Sequence, residues 1–431
     1  MRASIAQEQR RVKFRHRHCA AGNQPVTVKG RMPKNIVFCA DGTWNGPNAD
    51  DDNDGVPDTT NVWKLFCTLR GEPTADSALL AEEQEIVEPG DGGQVAKYLH
   101  GVGDSRNVII KLLGGAFGDG IIARIVRGYT YISRNYEPGD SIILIGFSRG
   151  AYTARALGGM IADVGLLNAN SPNFDLSDKA NAYRFGIMAW RKHREARVIS
   201  RGSATLLDLF NRVADMLPHF AFTQLQPADT IAVDSIKAIG VWDTVGALGI
   251  PIYASQSDES IDVFKFADTA LNAKVEFGIH AISLDEQRMD FMPTLWDART
   301  GVTQVLFAGA HADVGGGYSA AESGLSDTAC DWMLRQLSDP GTVGLHVKPS
   351  PWPLKPNWFI DGHEPWKNIP FNVRPTGPRS PIPFPASVGA HVSIAHKMGI
   401  NPLTGAPVAV TTPYVPTTLG ADLANNRTWV S

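Results

Sequence analysis

The stretch Ser141-Ile-Ile-Leu-Ile-Gly146-Phe147-Ser148-Arg149-Gly150-Ala-Tyr-Thr-Ala-Arg155 decides the fold. Its first half is a continuous apolar run of strand length, the pattern of a strand covered on both faces in a parallel sheet. Its second half carries small and apolar residues at helical spacing. Between them lies G-x-S-x-G. Two glycines around a serine are common by chance, but a strand before and a helix after are the context a nucleophile elbow requires. In an elbow the serine occupies a strained turn with Oγ directed away from the sheet. The next N–H, that of Arg149, then faces a developing oxyanion from the helix N-terminus. Ser148 is the candidate nucleophile, and the bland alternative is a strand-to-helix turn with structural glycines.

Outward from this stretch, short apolar runs ending in Gly or Asp alternate with helix-like segments, as a mostly parallel α/β sheet demands. The pattern predicts strands at Ile36 to Ala40, Ala96 to Val102, Ser141 to Gly146, Ile236 to Trp242, His280 to Leu284 and Gln304 to Ala308. It predicts helices at Asn61 to Leu69, Gly120 to Arg134, Arg149 to Val164 and Leu325 to Leu337. Residues 168–230 interrupt the alternation with a mostly helical, Arg/Phe/Leu-rich insertion of the kind that forms lids. Residues 341–431 have a different texture, with eleven prolines between Pro349 and Pro385 beside Trp352, Trp358 and Trp366. That segment is expected to pack on the domain as irregular coil rather than as a central strand or long helix. Residues 1–33 set eight Lys or Arg against Glu8 without an apolar core, so they read as a disordered basic leader rather than a secretory signal.

A serine nucleophile needs a histidine base and an acid, which follow it in the order Ser, Asp or Glu, His at strand ends in this architecture. His311 closes the run Val305-Leu-Phe-Ala-Gly-Ala-His311 and opens a Gly-rich loop, so it is the candidate base. His280 begins a predicted strand and reads as buried and structural. Asp243 and Asp285 both end predicted strands between Ser148 and His311, and periodicity does not choose between them. Asp313 reads as an acid that turns the Gly-rich loop. Near the start, Cys39-Ala40-Asp41-Gly42-Thr43 resembles an aspartyl-phosphatase signature, but Cys39 stands where the attacking aspartate belongs. The loop suits a second oxyanion donor better, with Gly42 and Thr43 supplying N–H groups.

The acidic insert Asp50-Asp51-Asp52-Asn53-Asp54-Gly55-Val56-Pro57-Asp58 resembles the front of a calcium loop through Asp50, Asp52 and Asp54. Asn61 occupies the position of the bidentate acid, so a solvated loop is expected rather than a Ca2+ site. The four cysteines are scattered, which excludes a disulfide scaffold and a zinc ribbon. A formal charge of -4 over 431 residues gives no global field for nucleic acid. No run reaches the length and apolarity of a membrane span, so membrane contact would be peripheral. The expected location is the cytoplasm, with membrane association or export without a signal peptide left open, and oligomeric state is not legible.

The blocks Asp41-Gly-Thr-Trp-Asn45, Asn61-Val-Trp-Lys, Gly101-Val-Gly103, Gly146 to Arg155, Val241-Trp-Asp-Thr-Val-Gly246, Leu284-Asp-Glu-Gln-Arg288, His311 to Tyr318 and Leu325-Ser-Asp occur in that order. Together they resemble the uncharacterised α/β-hydrolase family that contains the catalytic domains of Tle1-like type VI secretion phospholipase effectors. The resemblance spans about residues 34–340 and implies an α/β-hydrolase fold with ester hydrolysis of lipids and no metal cofactor. It maps the triad onto Ser148, Asp243 and His311. Within the toxins it implies phospholipase A activity.

Overall fold

The computed structural model describes residues 31–42, 57–74, 83–101, 117–201, 225–245, 270–351, 353–369, 371–373, 375–379, 384–411, 414–416, 418 and 428–431, with side chains 117–120 and 197–201 set aside. Thr43, the insert residues Asp50, Asp52 and Asp54, and residues 202–224 of the expected insertion lie outside these. Residues Pro33–Ser431 form one compact unit.

In chain order the unit contains β1 (Asn35–Ala40), α1 (Asn61–Thr68), β2 (Glu72–Pro73), β3 (Glu83–Glu88), β4 (Gln94–Leu99), α2 (Phe117–Asn135), β5 (Ser141–Phe147) and α3 (Arg149–Val164). It continues with β6 (Leu166–Leu167), α4 (Lys179–Arg201), β7 (Thr230–Ile231), β8 (Ile236–Trp242), β9 (Val275–Ser283) and β10 (Val302–Phe307). The last elements are α5 (His311–Gly315), α6 (Gly324–Ser338), β11 (Val388–His391), α7 (Val392–Lys397) and β12 (Trp429–Val430).

Ten strands form one sheet in the order β12-β11-β10-β9-β8-β5-β1-β4-β3-β2. Every pair from β12 to β4 is parallel, and the two pairs at the far edge, β4 with β3 and β3 with β2, are antiparallel. Period-two alternation divides the side chains of β1 and β5 between two layers. Ile36, Phe38, Ile142 and Leu144 pack with α2, α3 and α4, while Val37, Cys39, Ile143 and Ile145 pack with α1 and α6. Burial on both faces explains why these strands read as unbroken apolar runs, each large side chain contributing about 1.5–3 kcal/mol. From β1 the chain runs to the far edge at β2, works back through β3 to β4 beside β1, and then crosses to place β5 on the other side of β1. That reversal puts the topological switch point at the carboxyl ends of β1 and β5, where open α/β sheets bind ligands.

Three features differ from the sequence expectation. The insertion's helix α4 buries Ala182, Ile187, Met188 and Trp190 in the layer formed with α2 and α3, so this part of it is core rather than lid. The C-terminal segment is not only coil, since β11 and β12 extend the sheet beyond β10 once the proline run has ended. Strand β3 was hidden by its charges, of which Glu85 pairs with Lys97 at 2.9 Å and Glu83 with Arg127 at 2.9 Å. Among the described residues no helix is long and apolar enough to cross a membrane.

Candidate active site

The elbow sequence dictates its own geometry. Strand β5 ends at Phe147, α3 begins at Arg149, and Ser148 between them has φ 56° and ψ -119°. An L-residue adopts such a conformation at a cost on the order of 1 kcal/mol or more, so the surroundings must hold it. They do so by close backbone approach. A Cβ on Gly146 would strike the Gly150 carbonyl, and one on Gly150 would strike the Ala40 carbonyl. The Ser148 N–H donates to the Trp242 carbonyl at 3.1 Å, and its side chain makes no capping bond to α3. By helix geometry the N–H groups of the first turn, that of Arg149 included, point out of the helix end rather than to an i-4 carbonyl.

Parallel pairing sets Phe147 beside Trp242, so Ser148 and Asp243 are the first residues past neighbouring strand ends. Asp243 is fully buried with φ 39°, and it and Ser148 are the only non-glycine residues with positive φ among those described. Its N–H donates to the Ala281 carbonyl at 2.7 Å, and its carboxylate accepts from the Ser283 N–H at 2.9 Å. His311 opens α5 with its Nδ1 2.5 Å from Asp243 Oδ2. The imidazole lies between Phe147 and Phe291, with ring centroids 4.6 and 4.9 Å away. Burial lowers the His311 pKa below its ordinary value, against the opposing pull of Asp243, which favours the neutral ring. With Nδ1–H given to the carboxylate, Nε2 is the lone-pair nitrogen. Burial also opposes the charge of Asp243, but Arg379 and His311 outweigh it and hold the carboxyl far below the usual carboxylate range.

Four residues of this cluster had no role in the sequence reading. Arg379 is fully buried and grips Asp243 with both terminal nitrogens, Nη1 to Oδ1 at 2.5 Å and Nη2 to Oδ2 at 2.8 Å. Ser283 supplies its N–H to the same carboxylate. Buried Glu286 accepts the His311 N–H at 3.2 Å and is held by Arg288 through Nε at 2.8 Å and Nη2 at 2.7 Å. Glu286 and Arg288 fall in one of the ordered sequence blocks, whereas Arg379 stands alone in a proline-rich run with no spacing relation to Ser148, Asp243 or His311.

The other candidates have different partners. Asp285 accepts from the Gly309 N–H at 2.6 Å and the Tyr414 hydroxyl at 2.5 Å. His280 lies within β9 rather than at its start, and its Nε2 accepts the Thr244 N–H at 3.1 Å. Burial pushes the His280 pKa down to about 3, so it stays neutral. Asp313 turns the loop by accepting the Ala310 N–H at 2.9 Å and pairs with His363 at 2.6 Å.

The N–H of Gly42 donates to the carboxylate of Asp41 at 2.7 Å, so this expected oxyanion donor is engaged by its own neighbour. Asp41 also accepts from Tyr98 Oη at 2.6 Å and from Thr60, the N-cap of α1, at 2.7 Å. Burial raises its carboxyl to about 6 against these donors. Replacement by alanine strands two buried hydroxyls beside the elbow. Asp41→Ala is therefore expected to lower unfolding stability by about 2–4 kcal/mol in a denaturant titration. An unchanged midpoint would show that the network contributes nothing.

A family model described as the catalytic domain of Tle1-like type VI secretion phospholipase effectors matches residues 34–336. The chain belongs to this family. The chain is also 32% identical over 149 residues to the uncharacterized protein YEL023C of Saccharomyces cerevisiae, covering 31% of this chain and 18% of that one. A crystal structure of an uncharacterized Pseudomonas aeruginosa protein overlaps it with TM-score 0.37 and 18% identity, over 74% of this chain and 47% of that one. The Tle1 effector bound to the VgrG spike of the type VI secretion system overlaps it with TM-score 0.32 and 16% identity, over 68% and 53% of the two chains. The Tle1-like chain thus spans about half the length of these solved structures and under a fifth of the yeast protein.

Proposed function

We propose that this chain is a serine hydrolase of α/β-hydrolase type that cleaves carboxylic esters, with acyl esters of lipids or phospholipids as its substrate class. The observation that carries the reading is the coincidence at the strand ends. Ser148 and Asp243 hold strained left-handed backbones side by side, and His311 meets the Asp243 carboxylate at 2.5 Å. Such strain persists where the surroundings over-determine it and clusters at active sites.

The chemistry follows from the positions. Ser148 Oγ attacks the acyl carbonyl while His311 Nε2 takes its proton, and Asp243 stabilises the resulting imidazolium. The carbonyl oxygen becomes an oxyanion next to the N–H of Arg149. The imidazolium returns the proton to the leaving alkoxide as the C–O bond breaks, releasing the alcohol. Water, deprotonated by the same imidazole, then attacks the acyl-serine and frees the fatty acid. Neither half-reaction needs a metal, and the family's naming for phospholipase effectors supports the lipid substrate.

Turnover of short-chain esters, long-chain esters and phospholipid vesicles, with the released acid identified, tests this reading. Expected is release of fatty acid that continues in EDTA, with Ca2+ changing the rate by less than about twofold, because the insert lacks the bidentate acid of a strong calcium loop. A chain that hydrolyses none of these esters is not the proposed enzyme. Complete loss in EDTA, reversed by Ca2+, would instead draw the acidic insert into the site.

A further inference from the structure

We propose that Arg379, supplied by the C-terminal segment, is a positioning residue for hydrolysis that fixes the carboxylate of Asp243 in the orientation that receives His311. The inference rests on the triad reading above. The matched family region ends at residue 336, so Arg379 comes from chain beyond it.

The contact has the geometry of a built element. A planar guanidinium meets a planar carboxylate through two parallel N–H···O bonds, which sets direction as well as strength. Both groups are fully buried, so water does not take the place of either partner. The same two nitrogens also donate to the carbonyls of Ser283 at 2.8 Å and Phe291 at 2.5 Å. Arg379 thereby spans from the end of β9 to the turn that supplies Phe291, which packs on the His311 ring.

The preceding residues hold Arg379 in place. The Met289 N–H donates to the Pro375 carbonyl at 3.3 Å, and the Gly377 N–H donates to the Gln287 carbonyl at 2.9 Å. Arg288 pairs with Thr376 in an antiparallel bridge. Its guanidinium also stacks between Phe291 at 3.7 Å and Phe371 at 4.5 Å. The strap is thus stitched to the loop that carries Glu286, whose carboxylate holds the His311 backbone. Among the described residues the hydrogen bonds of Arg379 go to the Asp243 carboxylate and to backbone carbonyls, so it acts through the acid rather than on substrate.

The charge of Arg379 gives a readout that a merely structural arginine lacks. His311 is faced by Asp243 from the end of β8, by Glu286 and Arg288 from the loop after β9, and by Arg379 through Asp243; Asp313, on its own helix, is engaged with His363. Removing the positive charge of Arg379 from the acid makes the imidazolium easier to form. Hydrolysis needs neutral His311, so the acid limb of kcat/KM must then move to higher pH.

The experiment uses the full chain as wild type, Arg379→Gln, Arg379→Lys and Ser148→Ala. It follows kcat and KM against pH, melting temperature, and the His311 ring titration by NMR. For Arg379→Gln the expected result is a kcat loss on the order of 10²-fold with KM nearly unchanged. The acid limb and the His311 titration should both move upward by about one pH unit. Arg379→Lys keeps the charge without the fork, so it should hold the wild-type titration and lose about tenfold in kcat. It also serves as the judge where the glutamine variant does not fold. Wild-type kcat and an unmoved titration in Arg379→Gln would overturn the proposal, as would a lysine variant with full kcat. Should Ser148→Ala retain turnover, the triad reading fails instead, and the NMR titration still decides whether Arg379 governs the Asp243–His311 pair.

Discussion

Ser148→Ala is expected to abolish ester hydrolysis, with no turnover above that of heat-inactivated protein, while the circular dichroism and melting curve stay those of a folded chain. The hydroxyl is the only atom lost. The backbone of residue 148 is held by its bond to the Trp242 carbonyl and by the approach of Gly150 to Ala40, neither of which involves Oγ. A fluorophosphonate, which traps an activated serine, should label the wild type at Ser148 and leave the alanine variant unlabelled. Residual hydrolysis of more than a few per cent, at a rate unaffected by the probe, would assign the nucleophile elsewhere.

Asp243→Asn should cost roughly 10⁴-fold in kcat, the loss seen when the acid of the serine-protease triad is so changed, because the amide presents the wrong partner to Nδ1–H and disfavours the reactive tautomer. It should also cost stability, about 3–5 kcal/mol, because Arg379 is left buried opposite a neutral group. The two losses are separable by active-site labelling and a denaturant titration. Asp285→Asn provides the contrast. Its carboxylate serves Gly309 and Tyr414, so the expected effect is about 1–2 kcal/mol of stability with kcat within a few-fold of wild type. A severe, fold-preserving catalytic defect at Asp285 with Asp243→Asn active would reverse the assignment of the acid.

How much of this was legible beforehand depended on which forces left a mark on local sequence. The helix read as Arg149 to Val164 has those bounds in the structure, and β5 differs from its reading by one residue. Both are long and covered on the inside, so burial writes a continuous pattern. Strand β3 escaped because its outward face is Glu-rich and its stability is shared with Lys97 and Arg127, partners distant in sequence. Strand β11 is four residues, Val-Gly-Ala-His, behind a proline run, too short for periodicity to register. At the site, strand-end placement pointed to Ser148, His311 and two candidate acids. The choice between Asp243 and Asp285 came from family resemblance, since both end apolar runs. Arg379 was illegible in principle. Its partner is 136 residues away, and nothing local distinguishes an arginine that will be sealed inside from one that stays in water.

The left-handed backbone at Ser148 has a consequence for how such a chain drifts over generations. Glycine alone occupies that conformation without steric cost, so Ser148→Gly should melt above Ser148→Ala, by the roughly 1 °C that about 1 kcal/mol of relieved strain gives in a chain of this length. A lineage released from selection for the proposed hydrolysis therefore has a downhill route that erases the Ser148 hydroxyl and makes the protein sturdier at once. The reverse step is uphill in stability. Loss of chemistry here behaves as a ratchet, and a glycine between Phe147 and Arg149 would mark a descendant that has stopped being an enzyme while keeping the scaffold intact.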